Sequence, residues 1–168
     1  MGSSRSVPNP AIWHRELLGS GSLSADQSKQ PTVLWIDDFE PALPLYKTML
    51  ENMGFKVFTA SSGETGLKVA ALNHLDLVVT DYEMPGMNGE AVATSVKTLD
   101  PGLQVIMFSG STLVPSRIRR VVDALCDKAG SRDHLLATIH RLLQKKRYRT
   151  LQPAPLGKAS HHEQRTVA

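Results

Sequence analysis

Three carboxylates, a hydroxyl and an ammonium each stand at the end of a short apolar run in this chain. Asp81 follows Leu77-Val-Val-Thr80 and precedes a turn built from Pro85, Gly86 and Gly89. Asp37 and Asp38 follow Thr32-Val-Leu-Trp-Ile36, Ser109 follows Leu103-Gln-Val-Ile-Met-Phe108, and Lys128 follows Ala124-Leu-Cys-Asp127. Short apolar runs bounded by turn residues read as strands buried on both faces. In an open parallel sheet the carboxyl ends of the strands form the ligand crevice. Parallel neighbours would therefore gather all five groups at one edge. Three carboxylates that close repel one another unless a cation joins them. Hard oxygen ligands with room for water suit magnesium. An ammonium and a hydroxyl suit the oxygens of a phosphoryl group.

The segments between these runs have helical character. Tyr46, Met49, Leu50 and Met53 recur at helical spacing after Pro41, and Gly54 closes that stretch. Phe55 to Ala60 reads as a second strand. Ser61 with Glu64 has the spacing of a capping box, ahead of a short helix carrying Leu67 and Ala71. Val92, Val96 and Leu99 mark a third helix, stopped by Asp100-Pro101-Gly102, and a brief fourth is expected around Ser116 to Asp123. The last helix is capped by Ser131 and shows Leu135, Leu136, Ile139, Leu142 and Leu143 on one face. Strands alternating with helices predict an α/β fold, a doubly wound parallel sheet with right-handed crossovers.

A chain of 168 residues, 41% hydrophobic and 21% charged, has one-domain length and ordinary soluble composition. No run approaches the roughly 18 apolar residues of a transmembrane helix, and the start lacks the apolar centre of a signal peptide, so a cytoplasmic location is expected. Cys126, the single cysteine, excludes an internal disulfide. The net charge of +3 hides a division: +1 over residues 1–30, −3 over 31–144 and +5 over 145–168. A basic pI therefore says nothing about the central region. Residues 1–31 read as an extension and linker with a possible short helix over 10–18, begun by Asn9-Pro10 and ended by Gly19. Residues 145–168 read as a basic, disordered tail.

In the order acidic pair, Asp before Met-Pro-Gly-Met-Asn-Gly, Ser, Lys, the chain resembles the receiver domain of two-component response regulators, in the style of the small chemotaxis regulators. The resemblance covers 32–144 and implies a flavodoxin-like five-stranded sheet of order 2-1-3-4-5. It implies that Asp81 is the phosphoacceptor, that Ser109 and Lys128 contact the phosphoryl group, and that Mg2+ is the cofactor. The metal would be held by Asp38 and Asp81 directly, by the backbone carbonyl of Glu83, and by Asp37 through water. The donor would be a histidine kinase or histidine phosphotransfer protein, and the product a stoichiometric aspartyl phosphate, without enzymatic turnover. Output would pass by contact to an unknown downstream protein. The 24 residues after Gln144 leave no room for a DNA-binding output domain, so a stand-alone receiver is expected. Three positions depart from the family pattern. Ala129 replaces the proline after the lysine, so a trans bond is expected there; Leu125 replaces the usual aromatic switch residue; and Gly110 leaves the phosphate side open. Two rival readings are a phosphorylation-independent scaffold of the same fold and a dehalogenase-like phosphohydrolase. The second normally needs Asp-x-Asp after the first strand, and Asp37-Asp38-Phe39 lacks that spacing.

Overall fold

The apolar runs form one parallel sheet in the computed structural model, which describes residues 30–110 and 114–151. Its strands are β1 (Thr32–Ile36), β2 (Lys56–Ala60), β3 (Leu77–Thr80), β4 (Gln104–Ser109) and β5 (Ala124–Asp127), in the spatial order β2-β1-β3-β4-β5. Every pairing is parallel. The helices are α1 (Leu43–Glu51), α2 (Gly63–Leu72), α3 (Gly89–Leu99) and α4 (Arg132–Leu151), with 3-10 turns at Glu40–Ala42 and Ser116–Arg120. The short helix expected over 10–18 lies outside the described residues.

Because side chains alternate along a strand, β1 divides its residues between two cores. Val33 and Trp35 join Leu50, Phe108, Ile139 and Leu142 on the face covered by α1 and α4. Leu34 and Ile36 join Val78, Val92, Val96 and Val105 on the face covered by α2 and α3. The first core holds an aromatic group: Tyr46 stacks on Trp35 at 4.1 Å between ring centroids, and both meet Phe108 edge-on.

Several helix details differ from the sequence expectation. Pro41 lies in the 3-10 turn before α1 rather than in the α-helix itself. That helix ends as expected near Gly54, where φ is +88°. There the Phe55 amide donates to the Leu50 carbonyl and the Gly54 amide to that of Glu51, the bond pattern of a Schellman motif. The cap of α2 is Ser62, whose hydroxyl accepts from the Thr65 amide at 3.2 Å. The capping box of Ser61 with Glu64 does not form; the helix begins one residue later. Its inner face carries Gly63 and Gly66, and Ala71 is exposed. A Cβ at Gly66 would run into Ile36, so α2 approaches the sheet through its glycines and turns Ala71 outward. In α3, Val92, Ala93 and Val96 are buried while Leu99 is 60% exposed, since the chain leaves the sheet at Asp100. The expected fourth helix shrinks to the 3-10 turn Ser116–Arg120, anchored by the buried Ile118.

The last helix keeps its predicted apolar face but does not stop at Gln144. It continues to Leu151, so the first part of the expected tail is helical. Lys146 shows why this end is held. Its ammonium donates to the Leu75 carbonyl at 2.8 Å and lies 3.3 Å from Asp76. Asp76 in turn accepts from the Thr32 amide at 2.9 Å, so this lysine is tied to the start of the sheet rather than solvated.

Candidate functional site

The strand ladder itself brings the carboxylates together. The Asp81 amide donates to the Ile36 carbonyl at 2.9 Å, and the Asp37 amide donates to the Ala60 carbonyl at 3.1 Å. Each bond continues the pairing of β1 by one step past the last strand residue. Asp81 therefore lies beside the Asp37-Asp38 pair, at the crossing point where the chain passes from one side of β1 to the other. Carboxylate oxygens of Asp37, Asp38 and Asp81 all fall within 4.8 Å of one another. Asp37 is 1% exposed and Asp81 8%, whereas Asp38 faces solvent.

Lys128 supplies the cation that such crowding demands. Its Nζ lies 2.7 Å from Oδ2 of Asp37 and 2.8 Å from Oδ2 of Asp81. Burial works to lower the lysine pKa, but the hydrogen bonds and charges of both carboxylates outweigh it, and the ammonium is held above its ordinary value. The other oxygens are also satisfied. Oδ1 of Asp81 accepts from the Tyr82 amide at 2.6 Å, and Oδ1 of Asp37 accepts from the Phe39 amide at 3.0 Å. Two buried carboxylates thus share one ammonium and each uses one backbone N–H. Buried charge is tolerated when paired and hydrogen-bonded in this way.

Ser109 ends β4 opposite Asp127 of β5, and its carbonyl accepts from the Lys128 amide at 3.0 Å. The backbone thus holds Ser109 and Lys128 side by side at the same edge as the acids. Glu83 lies in the loop after Asp81, its side chain exposed and outside the carboxylate cluster. With Tyr82, Met84, Pro85 and Asn88 it lines an open depression next to the site. That loop returns tightly. The Gly89 amide donates to the Tyr82 carbonyl at 3.0 Å, and a Cβ on Gly89 would collide with the Asp81 carbonyl. Only glycine lets α3 start this close to the nucleophile candidate.

The three departures from the family pattern acquire physical content here. The Lys128–Ala129 bond is trans, like every peptide bond described. The Ala129 amide, which proline would lack, donates to Oδ1 of Asp127 at 2.8 Å, and the Gly130 amide donates to the Asp127 carbonyl at 3.0 Å. An Asx-type turn built on Asp127 shapes the loop behind the lysine. Leu125 is partly buried, opposite Met107 in register and on the other sheet face from Cys126. At Gly110 an added Cβ would meet only the Lys128 side chain, at 3.9 Å, so this flank is open.

Tyr46 escaped the sequence analysis as a site neighbour because its helical spacing marked it as core. Its phenol pKa is raised, first by burial and then by the negative field of Asp37, which Lys128 partly opposes. Nothing in the sequence would have shown this, since Tyr46 is buried beside Asp37 and Lys128 only once α1 packs on the sheet.

Comparison with known proteins agrees with the fold. The model of the response regulator receiver domain matches residues 33–140. Among curated proteins, the autoinducer 1 sensor kinase/phosphatase LuxN of Vibrio campbellii is 34% identical over 85 residues, covering 51% of this chain and 10% of LuxN. The C4-dicarboxylate transport regulator DctD of Rhizobium meliloti is 29% identical over 123 residues, covering 71% of this chain and 27% of DctD. The chain spans no more than about half the length of the curated relatives it matches most strongly. Among solved structures, the response regulator TrrA of Thermotoga maritima, in complex with Mg2+–BeF, is 26% identical, with a TM-score of 0.64 over 67% of this chain and 99% of TrrA. A receiver domain from Methanospirillum hungatei shares the fold at a TM-score of 0.67, 24% identity, 72% of this chain and 99% of its own. With the acidic pair, the single acid after β3 and the lysine after β5 joined at one edge of a β2-β1-β3-β4-β5 sheet, and with the family model spanning most of that sheet and its helices, this chain belongs to the response regulator receiver domain family.

Proposed function

We propose that the chain is a magnesium-dependent phosphoacceptor of a two-component or phosphorelay system, with Asp81 as the residue that carries the phosphoryl group. The observation that carries this reading is the ammonium of Lys128 bridging Asp37 and Asp81, 2.7 and 2.8 Å away. An oxygen of Asp81 attacks the phosphorus of a phosphohistidine, the new O–P bond forms as the P–N bond breaks, and the histidine leaves as imidazole. A carboxylate approaching an anionic phosphoryl group needs its charge countered. Lys128 is placed to turn from Asp81 toward the transferred oxygens without leaving Asp37. Ser109, at the next strand end, offers a hydroxyl to the same group.

The donor set fits a small hard cation, being carboxylate oxygens within 4.8 Å of one another with one acid open to water. Asp38 and Asp81 would hold it directly, with the Glu83 carbonyl, and Asp37 would contribute through water, because only one of two adjacent side chains can point directly at the ion. Magnesium, when bound, supplies positive charge that neutralises the acids and the incoming phosphoryl oxygens. The donor is a histidine kinase or a histidine phosphotransfer protein, and the chain works in the cytoplasm, where such donors are charged. It is a stoichiometric acceptor that assists its own dephosphorylation, not a turnover enzyme. The matched curated relatives are longer proteins, so their outputs are not carried over; the receiver passes its state on by contact with a protein partner.

Incubation with acetyl phosphate and magnesium should add one phosphoryl mass to the chain and none to Asp81→Asn. Equal labelling of that variant would reject Asp81. In the same experiment Asp38→Ala should weaken magnesium binding, read by titration, more than Asp37→Ala does. The reverse order would move Asp37 into direct contact with the ion.

A further inference from the structure

Outside the acidic cluster, the best-formed polar contact near the site joins two elements that the phosphoacceptor chemistry leaves unexplained. Arg117, in the 3-10 helix Ser116–Arg120, donates from Nε to Oε1 and from Nη2 to Oε2 of Glu90, both at 2.8 Å. Glu90 is the second residue of α3. Its neighbour Gly89 is pressed against the Asp81 carbonyl and bonded to that of Tyr82. The pair therefore spans from the start of α3, packed on the phosphoacceptor residue, to the 3-10 turn that follows β4. Glu90 is largely covered in this contact, with about a quarter of its side chain exposed, while Arg117 is mostly solvent-facing. A two-point guanidinium–carboxylate pair fixes orientation as well as distance. Its neighbours Arg119 and Arg120 are exposed and make no such pair among the described residues, so of the three arginines it is Arg117 that ties this turn to α3.

Within Ser116–Arg120 little else holds the 3-10 helix, whose next residues Val121 and Val122 pack against the core of Val92 and Val96. Its one buried side chain is Ile118, and its backbone bonds are local, from the Ile118 amide to Pro115 and from the Val121 and Val122 amides to Ile118. An element with one apolar anchor and one ion pair is easily shifted. We propose that the Glu90–Arg117 pair is a latch on the resting state: it holds the 3-10 helix to the start of α3, and formation of the phosphoryl state proceeds against it. This rests on the phosphoacceptor reading above, in which the Ser109 hydroxyl meets the phosphoryl group carried by Asp81. A contact that favours one of two states lowers affinity for any ligand of the other, so releasing the latch should favour phosphoryl binding.

The test uses Glu90→Gln, Arg117→Gln and the double variant, with magnesium and beryllofluoride as the phosphoryl mimic, binding followed by calorimetry. Amide exchange at Val121 and Val122 is measured without ligand. Each single variant should exchange faster there than the parent and bind beryllofluoride about two- to fivefold more tightly, the range one exposed ion pair supplies. The double variant should go no further than either single one, which separates loss of the pair from loss of the Glu90 charge at the helix start. Unchanged exchange in the single variants, or unchanged or weaker beryllofluoride binding in proteins that do bind it, overturns the latch alone. Absence of beryllofluoride binding by the parent protein overturns the phosphoacceptor reading, and the latch with it.

Discussion

At the residue scale, Lys128 carries the electrostatics of the site, and its removal should have effects of opposite sign. Lys128→Met leaves Asp37 and Asp81 close together and largely enclosed without their shared cation. Removal of one partner from a buried ion pair costs about 3–5 kcal/mol, which urea unfolding without divalent ions would register. Three acids lacking a neutralising ammonium should then bind magnesium more tightly than in the parent protein. Phosphoryl uptake from acetyl phosphate should nevertheless fall, because the charge that meets the transferred group is gone. Weaker magnesium binding in a folded Lys128→Met protein would show that the lysine organises the acids rather than competing for them.

Among the elements, α2 offers a sharp check because sequence and structure place its cap one residue apart. Ser62 accepts from the Thr65 amide, while Ser61 makes no such bond among the described residues. Ser62→Ala should cost about 1 kcal/mol, and Ser61→Ala should be close to neutral; thermal or urea unfolding of the two variants separates them. The one-residue offset has a packing cause. Gly63 and Gly66 allow α2 to lie against Ile36 and the loop after Asp81, and the helix starts where that fit requires. A capping pattern read from spacing alone carries no information about how closely the helix must approach the sheet.

For the molecule as a whole, the acidic edge of the sheet and its α4 face differ in how they respond to pH. The acidic edge is partly neutralised by Lys128, which stays charged well into the alkaline range. On the α4 face, His140 is packed beside Phe55, with ring centroids 5.6 Å apart, and burial pushes its imidazole pKa down. A histidine with a depressed folded-state pKa binds its proton more readily when unfolded. Its contribution to stability is whole above the ordinary value of 6.5 and is lost as pH falls through the folded-state value. Unfolding free energy should therefore decline as pH falls below about 6.5, and His140→Phe, which keeps a ring in that place, should flatten the decline. An equal acid-side loss in the variant would assign the effect to other groups.

The chain by itself determined the sheet, its parallel sense and the five chemical residues at its edge. Strands buried on both faces leave continuous apolar runs, and each run here stops at a residue of distinct chemistry, so Asp37, Asp38, Asp81, Ser109 and Lys128 were legible without coordinates. Helix faces were legible where a long periodic pattern met a single partner surface, as in the Leu135 to Leu143 stripe of α4. They were misread at Ala71 and Leu99, where the helix turns away from the sheet. Only the tertiary structure decided which carboxylate oxygens share the ammonium, that Asp127 shapes the loop a proline usually shapes, and that Glu90 reaches Arg117. The ion pairs among these join side chains far apart in sequence and are set by distances of a few tenths of an ångström. Local periodicity does not encode them, because they depend on how closely separate elements pack.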